Sequence, residues 1–411
     1  MRRWLIGILL VVAVAALAFF SIAPGMLERG MNKIDGKPLV AVSARAKALH
    51  QTLTIVDLHS DSLMWKRDIA QSSDQGHVDF HRLYEGNVML QVFSSVTKTR
   101  RGQNYDANSA DTDNITPLVI AQLQPLRTWS SLLERSLWHA QKLEAATKKF
   151  GENIRKANRF STQGILIVRD APGLTSLAEP YDPNSGIVFD HGSPRGAMLS
   201  IEGLQNLEGD IANLDKLYAA GFRMAGLTHF FDNELAGSMH GLKKGGLTPL
   251  GRDVVTRMEA RGMIVDIAHC SNACVADILK MARRPVVSSH GGVQATCKVN
   301  RNLSDEQIRG VAATGGLIGI GYWDAAVCDT SPASVATAMK HVRDLVGVEH
   351  VALGSDYDGA TTVRFDTSKL VQVTQALIDA GFSDDEIRAA MGDNAVRVLK
   401  AGLVPLTPPA P

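Results

Sequence analysis

Four cysteines among 411 residues are too few for a disulfide scaffold, and none stands in a Cys-x-x-Cys pair. Any metal site in this chain therefore has to be built from histidines and carboxylates. An excess of charge of one sign is also missing. The 43 Lys and Arg balance 42 Asp and Glu to a formal +1, without basic blocks. Nucleic acid is excluded as the main ligand, because neutralising phosphates needs clustered cations. There is no GxSxG elbow, no P-loop and no H-E-x-x-H helix, which removes the corresponding serine hydrolases, nucleotide hydrolases and thermolysin-like peptidases. No internal repeat is visible. With 45% apolar residues the composition is that of a globular chain, neither disordered nor coiled coil. Length alone allows two or three domains or one large α/β core.

Long hydrophobic runs are equally scarce, and the single one present is informative. From Trp4 to Ala23 the chain carries no charge, and Gly7 and Ser21 are its non-apolar members. Such a stretch spans roughly 30 Å as a helix, one bilayer core. Arg2 and Arg3 precede it, so the positive-inside bias keeps the N-terminus cytoplasmic and exports the rest. The run exceeds the 7–15 residues, roughly, of a signal-peptide core, which favours an uncleaved anchor. A cleaved signal peptide stays open, with Ala16-Leu17-Ala18 as a small-x-small site. Either way the body is expected on the outer side of a membrane, membrane-anchored or secreted.

Downstream, eight short β-type runs alternate with amphipathic helical stretches, and most stop at a polar residue. They are TIVDL before His59, VMLQVF at 88–93, AMLSI before Glu202, MAGLT before His229, MIVDIA before His269, PVVSS before His290, GLIGIGY at 316–322 and HVALGS before Asp356. Nearly continuous apolar strands separated by helices imply a parallel sheet covered on both faces. Eight of them predict a closed (β/α)₈ barrel of the TIM type. Between the second and third runs, about a hundred residues hold a helical insertion over 111–158, expected to carry a helical hairpin and a shorter strand pair.

In such barrels the chemistry sits at the C-terminal strand ends. A lone histidine at a strand end is more often structural than a ligand, but His59, His269 and His290 share that position. Asp61 stands two residues from His59, on the same side of an extended segment, and Glu202 ends the third run with two oxygens able to bridge two cations. Three imidazoles and two carboxylates suit zinc, with cobalt or manganese allowed. Two such ions would hold and acidify a shared water. His77, His81, His139, His240, His341 and His350 fall outside the strand-end format and read as structural or exposed.

Seven motifs then stand in series: DLHSDS (57–62), SIEG (200–203), LTHFFDN (227–233), VDIAHCS (265–271), PVVSSHGG (285–292), NRN (300–302) and GSDYDG (354–359). In this order and spacing the sequence resembles the membrane dipeptidase family, also called renal dipeptidase or peptidase family M19. The resemblance implies a binuclear zinc dipeptidase whose nucleophile is a hydroxide shared by two Zn²⁺ ions. His59, Asp61 and Glu202 would hold one zinc, and Glu202, His269 and His290 the other. His229 would face the substrate carbonyl, Arg301 would take the free carboxylate of the dipeptide, and Asp356 would carry protons. A disulfide near Cys297 and Cys328 is implied as well. Cys270 and Cys274 are expected to stay free, since i,i+4 spacing along a helix does not favour disulfide geometry.

These readings divide the chain into an N-terminal anchor or signal segment with linker (1–36), a metal-dependent (β/α)₈ hydrolase domain (37–403) and a Pro-rich tail (404–411). The expected setting is a bacterial envelope, the catalytic domain periplasmic, the membrane reached through the N-terminal segment, and a homodimer compatible. One departure from the family is the glycine pair after His290, which is expected to reshape the pocket. An alternative is a related metal-dependent amide or lactam hydrolase that tailors an exported peptide metabolite. A third, a membrane-tethered peptide-binding protein without catalysis, is disfavoured by the complete ligand set.

Overall fold

The computed structural model describes residues 2–158, 161–178 and 193–406. The end of the Pro-rich tail lies outside the described residues. Eight strands form the centre: β1 (Ile55–Ser60), β2 (Val88–Val96), β3 (Arg195–Glu202), β4 (Phe222–Gly226), β5 (Ile264–Asp266), β6 (Val287–Ser288), β7 (Leu317–Ile320) and β8 (Val351–Leu353). Each pairs in parallel with the next, and Leu353 of β8 pairs with Asp57 of β1, which closes the sheet. The fold is the (β/α)₈ barrel expected from the eight apolar runs. All eight strands are buried along their whole length, as strands covered by helices outside and side chains inside must be. One buried cluster takes a residue from every strand, among them Val56, Leu90, Met198, Met224, Ile264 and Val287, and is joined by Val398 and Leu399 of the C-terminal helix Asn394–Gly402.

Local signals explain the connecting helices. Ser304 and Ser383 each cap a helix with a reciprocal capping box, Gln307 and Glu386 closing the second bond. Gly262 ends the helix Pro249–Arg261 in the left-handed conformation that a residue without Cβ adopts at least cost.

Four further elements lie outside the barrel pattern. The N-terminal helix α1 runs from Arg2 to Met31 and is long and apolar enough to cross a membrane, a test that a signal sequence also passes. In the insertion after β2, helix α2 (Ile115–Ala121) and the long helix α3 (Leu132–Ala157) form the helical part. The strand pair expected there is, among the described residues, one strand, Ile165–Ile167, which adds in parallel to the start of β3 on the edge that β4 uses further along. Residues 159–160 and 179–192 of the insertion lie outside the described residues.

Candidate active site

Six of the named residues meet over the barrel mouth. His59 sits near the end of β1, and Asp61 follows as the first residue of the turn into Ser62–Met64. Glu202 is the last residue of β3, His229 follows β4, His269 follows β5 and His290 follows β6. All are 5% exposed or less. The eight-fold convergence of strand ends thus brings together residues up to about 230 positions apart in sequence.

Glu202 is the hub. Its Oε2 lies 3.3 Å from His59 Nε2, while Oε1 lies 2.6 Å from His269 Nε2 and 3.3 Å from His290 Nε2. Asp61 Oδ1 lies 3.5 Å from His59 Nε2. The carboxylate therefore turns one oxygen to the His59–Asp61 side and the other to the His269–His290 side. His229 Nε2 is 3.4 Å from Glu202 Oε1, and Asp356 Oδ1 is 3.9 Å from His59 Nε2. Three groups of donor atoms, His59–Asp61–Glu202, Glu202–His229–His269 and His59–His290–Asp356, each fall within 4.8 Å of one another. Distance alone therefore does not separate ligands from their neighbours here.

The donor chemistry fits metal ions. Both ring nitrogens of His59, Asp61 Oδ1, Glu202 Oε2 and His269 Nδ1 are buried without a hydrogen-bond partner. So many orphaned polar atoms in one place are costly unless a cation takes them up. Among themselves the groups already separate in charge. Despite burial, the surrounding histidines hold the Glu202 carboxyl well below the usual carboxylate range. Burial keeps His269 and His290 well below the usual imidazole value, so both offer a neutral nitrogen lone pair. Burial pushes the Asp356 carboxyl well above its ordinary value, opposed by His59 and reinforced by Asp61 and Glu202.

Two residues reach these positions through an unusual backbone. His269 and Asp356 have φ of 65° and 58°, the left-handed region that non-glycine residues seldom adopt. Both turn sharply away from their strands there. A layer of polar residues beneath the site was not singled out from sequence. Asp57 accepts from the Ser355 hydroxyl at 3.0 Å and from Gln91 at 3.1 Å. Asp266 accepts from the Ser289 hydroxyl, whose oxygen lies 2.8 Å from His290 Nδ1 and so fixes the ring that presents Nε2 to Glu202. The signal was present: Asp57 and Asp266 are carboxylates inside otherwise apolar strands, where burial requires a polar duty.

Arg301 is 3% exposed, donates to the His290 carbonyl at 3.0 Å and lies over the Trp323 ring. Trp323 Nε1 in turn donates to the Tyr105 hydroxyl at 3.3 Å. His240, away from any strand end, is buried and stacks on Phe230 at the rim of the site. The glycine pair after His290 has a backbone reason. A Cβ on Gly292 would lie 1.9 Å from the Ala326 carbonyl oxygen, and one on Gly291 would crowd the Arg301 guanidinium at 3.1 Å. Gly292 is needed for chain packing.

A profile of the membrane dipeptidase family, peptidase family M19, matches residues 188–403, more than half of the chain. The chain belongs to this family. A curated relative, the dipeptidase aclJ of Aspergillus oryzae, is 35% identical over 222 residues, 51% of this chain and 53% of the relative. The chain thus spans about half the length of the curated relative it matches. Solved structures share the fold. The probable dipeptidase PvdM of Pseudomonas aeruginosa aligns with a TM-score of 0.66 at 19% identity, covering 87% of this chain and 98% of that one. A Rhodobacter sphaeroides metallo peptidase liganded with a phosphinate mimic of L-Ala-D-Ala aligns at 0.64 and 20% identity, covering 85% and 99%. The M19 match begins just before β3, so four of these six residues, Glu202, His229, His269 and His290, stand inside it together with Arg301 and Asp356, while His59 and Asp61 join the site through the closure of the barrel.

Proposed function

We propose that this M19 chain is a binuclear zinc dipeptidase, carried on the outer face of a bacterial membrane by α1. The observation that carries the reading is the two-sided Glu202, with His59 and Asp61 at one oxygen and His269 and His290 at the other. Those five residues would hold the ions. Counting the bridge twice gives each ion three protein donors, which leaves room for water and substrate as a catalytic site requires. Bound there, two divalent cations supply the positive charge that acidifies a water and polarises a peptide carbonyl. Cobalt or manganese would serve in the same donor set.

The remaining roles belong to the chain itself. Arg301, held rigid by Trp323 and the His290 carbonyl, offers a planar fork to the terminal carboxylate of a dipeptide. That contact limits the substrate to one residue beyond the cut. His229 stands beside Glu202 where a ring N–H can support the oxyanion that develops on the carbonyl. Asp356, on the His59 side, takes a proton from the attacking water and returns it to the leaving amine.

The test combines elemental analysis with paired substrates on the full chain in detergent. Two zinc ions per chain and cleavage of free dipeptides are expected. Arg301→Ala should lower kcat/KM for free dipeptides by roughly 30-fold or more, the cost of losing a charge-assisted pair, and barely alter cleavage of C-terminally amidated ones. Equal losses on both substrate types would assign Arg301 to the fold instead.

A further inference from the structure

The mouth of the site opens into a cavity of about 1080 Å³. That is at the upper end of what drug-sized ligands occupy, roughly 300–1,000 Å³, and more than an unadorned dipeptide needs. Its two sides differ in chemistry. Arg301 and Trp323, on the loops after β6 and β7, make the polar side. Across the barrel, beyond β1 and β2, the wall is largely apolar, made by Met64 and Trp65 after β1, Ile115 and Leu118 of α2, and one face of α1, with Arg100, Gln103 and Asn104 of the loop after β2 as its polar members. The α1 face is Phe19, Ala23, Met26, Leu27 and Met31, which recur at the three- and four-residue steps that align side chains on a helix.

This part of α1 is built into the enzyme. Arg67, itself in the β1–β2 connection, binds Glu28 Oε1 at 2.5 Å and also pairs with Asp358 after β8. Lys66 donates to the Phe20 carbonyl at 2.7 Å, and Asn32 Oδ1 accepts from Ala360 N at 2.9 Å. The strand Lys33–Ile34 then pairs with Thr362–Val363. The helix face over the cavity is thereby held in place while its side chains stay open: Phe19 is 53%, Met26 69% and Leu27 46% exposed. Fixed, exposed apolar side chains next to a cluster of metal-type donors are a binding wall awaiting an apolar group.

We propose that the N-terminal helix forms an apolar subsite of the active site, and that the preferred substrate is a dipeptide whose amino-side residue carries a long alkyl or aryl side group. The side of the substrate follows from the barrel: with the carboxylate at Arg301 after β6, the amino-side residue points to the opposite wall over β1 and β2. The inference rests on the dipeptidase reading. It also gives α1 a duty besides anchoring, since the wall is the C-terminal part of the same apolar helix and a substrate partitioned into a membrane surface would meet it first.

The test uses the full chain in lipid nanodiscs, loaded with zinc, and two substrates with free amines and C-terminal alanine. One is alanyl-alanine; the other carries an n-octyl side chain on its first residue. Each buried methylene is worth roughly three- to fourfold in affinity, so kcat/KM for the octyl substrate should exceed that for alanyl-alanine about tenfold or more even with partial burial. Partitioning into the lipid would raise that ratio without the wall, and the double variant Met26→Gln and Leu27→Gln separates the two causes. Both positions are exposed and glutamine keeps helix propensity, so the fold is spared. The double variant should bring the ratio down about fivefold or more. A ratio near one in the parent chain, or a high ratio that the variant leaves intact, overturns the proposal. Cleavage of neither substrate overturns the dipeptidase reading itself, and this inference with it.

Discussion

Asp356 shows how one residue's surroundings select its duty. It stands 3.9 Å from His59, inside a group of donor atoms, yet in the proposed binuclear site the five other donors would already give each of two ions three protein contacts. A further strong ligand would close a site that needs open positions. Asp356→Asn keeps the shape and cannot accept a proton. It should retain two metal equivalents and dipeptide binding while kcat falls by ~10²–10⁴. Metal analysis alongside kinetics checks this, and loss of one equivalent would place Asp356 among the ligands. Two histidines far from the site make a second residue-scale prediction. Burial holds His50 down to about 4 and His139 down to about 3, and both are ordinary in the unfolded chain. Between those values and about 6.5 the unfolded state binds the extra proton, so stability is full above about 6.5 and declines as pH falls. Each group should contribute a slope of about 1.4 kcal/mol per pH unit across its window. Urea midpoints at a series of pH values should show it, and His139→Gln should flatten the slope.

Among the elements, the loops after β6 and β7 carry the polar side of the pocket and are tied together. Cys297 and Cys328 are joined by a disulfide that closes a separation of 31 residues, as the family resemblance implied. The bridge holds the Arg301 loop against the Trp323 loop. Replacing both cysteines by alanine should cost about 3–4 kcal/mol through the freed unfolded chain, read from urea unfolding. Cys270 and Cys274 are free, as expected, with their sulfurs 2.7 Å apart, but the helical spacing argued from sequence does not apply to them. Cys270 lies ahead of the Ser271 cap of the helix Asn272–Met281, so the two do not share one helix.

In the whole molecule, a single buried guanidinium links the N-terminal helix to both ends of the barrel's seam. Arg67 meets Glu28 of α1 and Asp358 beyond β8, and both carboxylates are buried. Removing it strands two buried charges. Arg67→Met should therefore cost on the order of 3–5 kcal/mol, visible as a lowered unfolding temperature of the full chain in detergent. If α1 were a loose tether, the same change would act through Asp358 alone. Glu28→Gln in the Arg67→Met background separates the cases: it should recover part of the loss in the docked arrangement and none in the tethered one.

The amino-acid sequence by itself determined the eight strands, the barrel they close into and the polar residues at their ends. Those follow from local pattern, since apolar runs between capped helices leave few alternatives and a charged residue ending such a run must sit at the barrel mouth. It also carried the outward signal of the N-terminal run. The two-sided placement of Glu202 between His59 and His269 was decided in tertiary structure, because it depends on the register of strands far apart in the chain. So were the left-handed turns at His269 and Asp356, the Asp266–Ser289–His290 support and the close backbone approach at Gly292. The docking of α1 against the cavity was out of reach of the sequence for the same reason: one helix face, one arginine and one short strand acquire their meaning from what the closed barrel brings next to them.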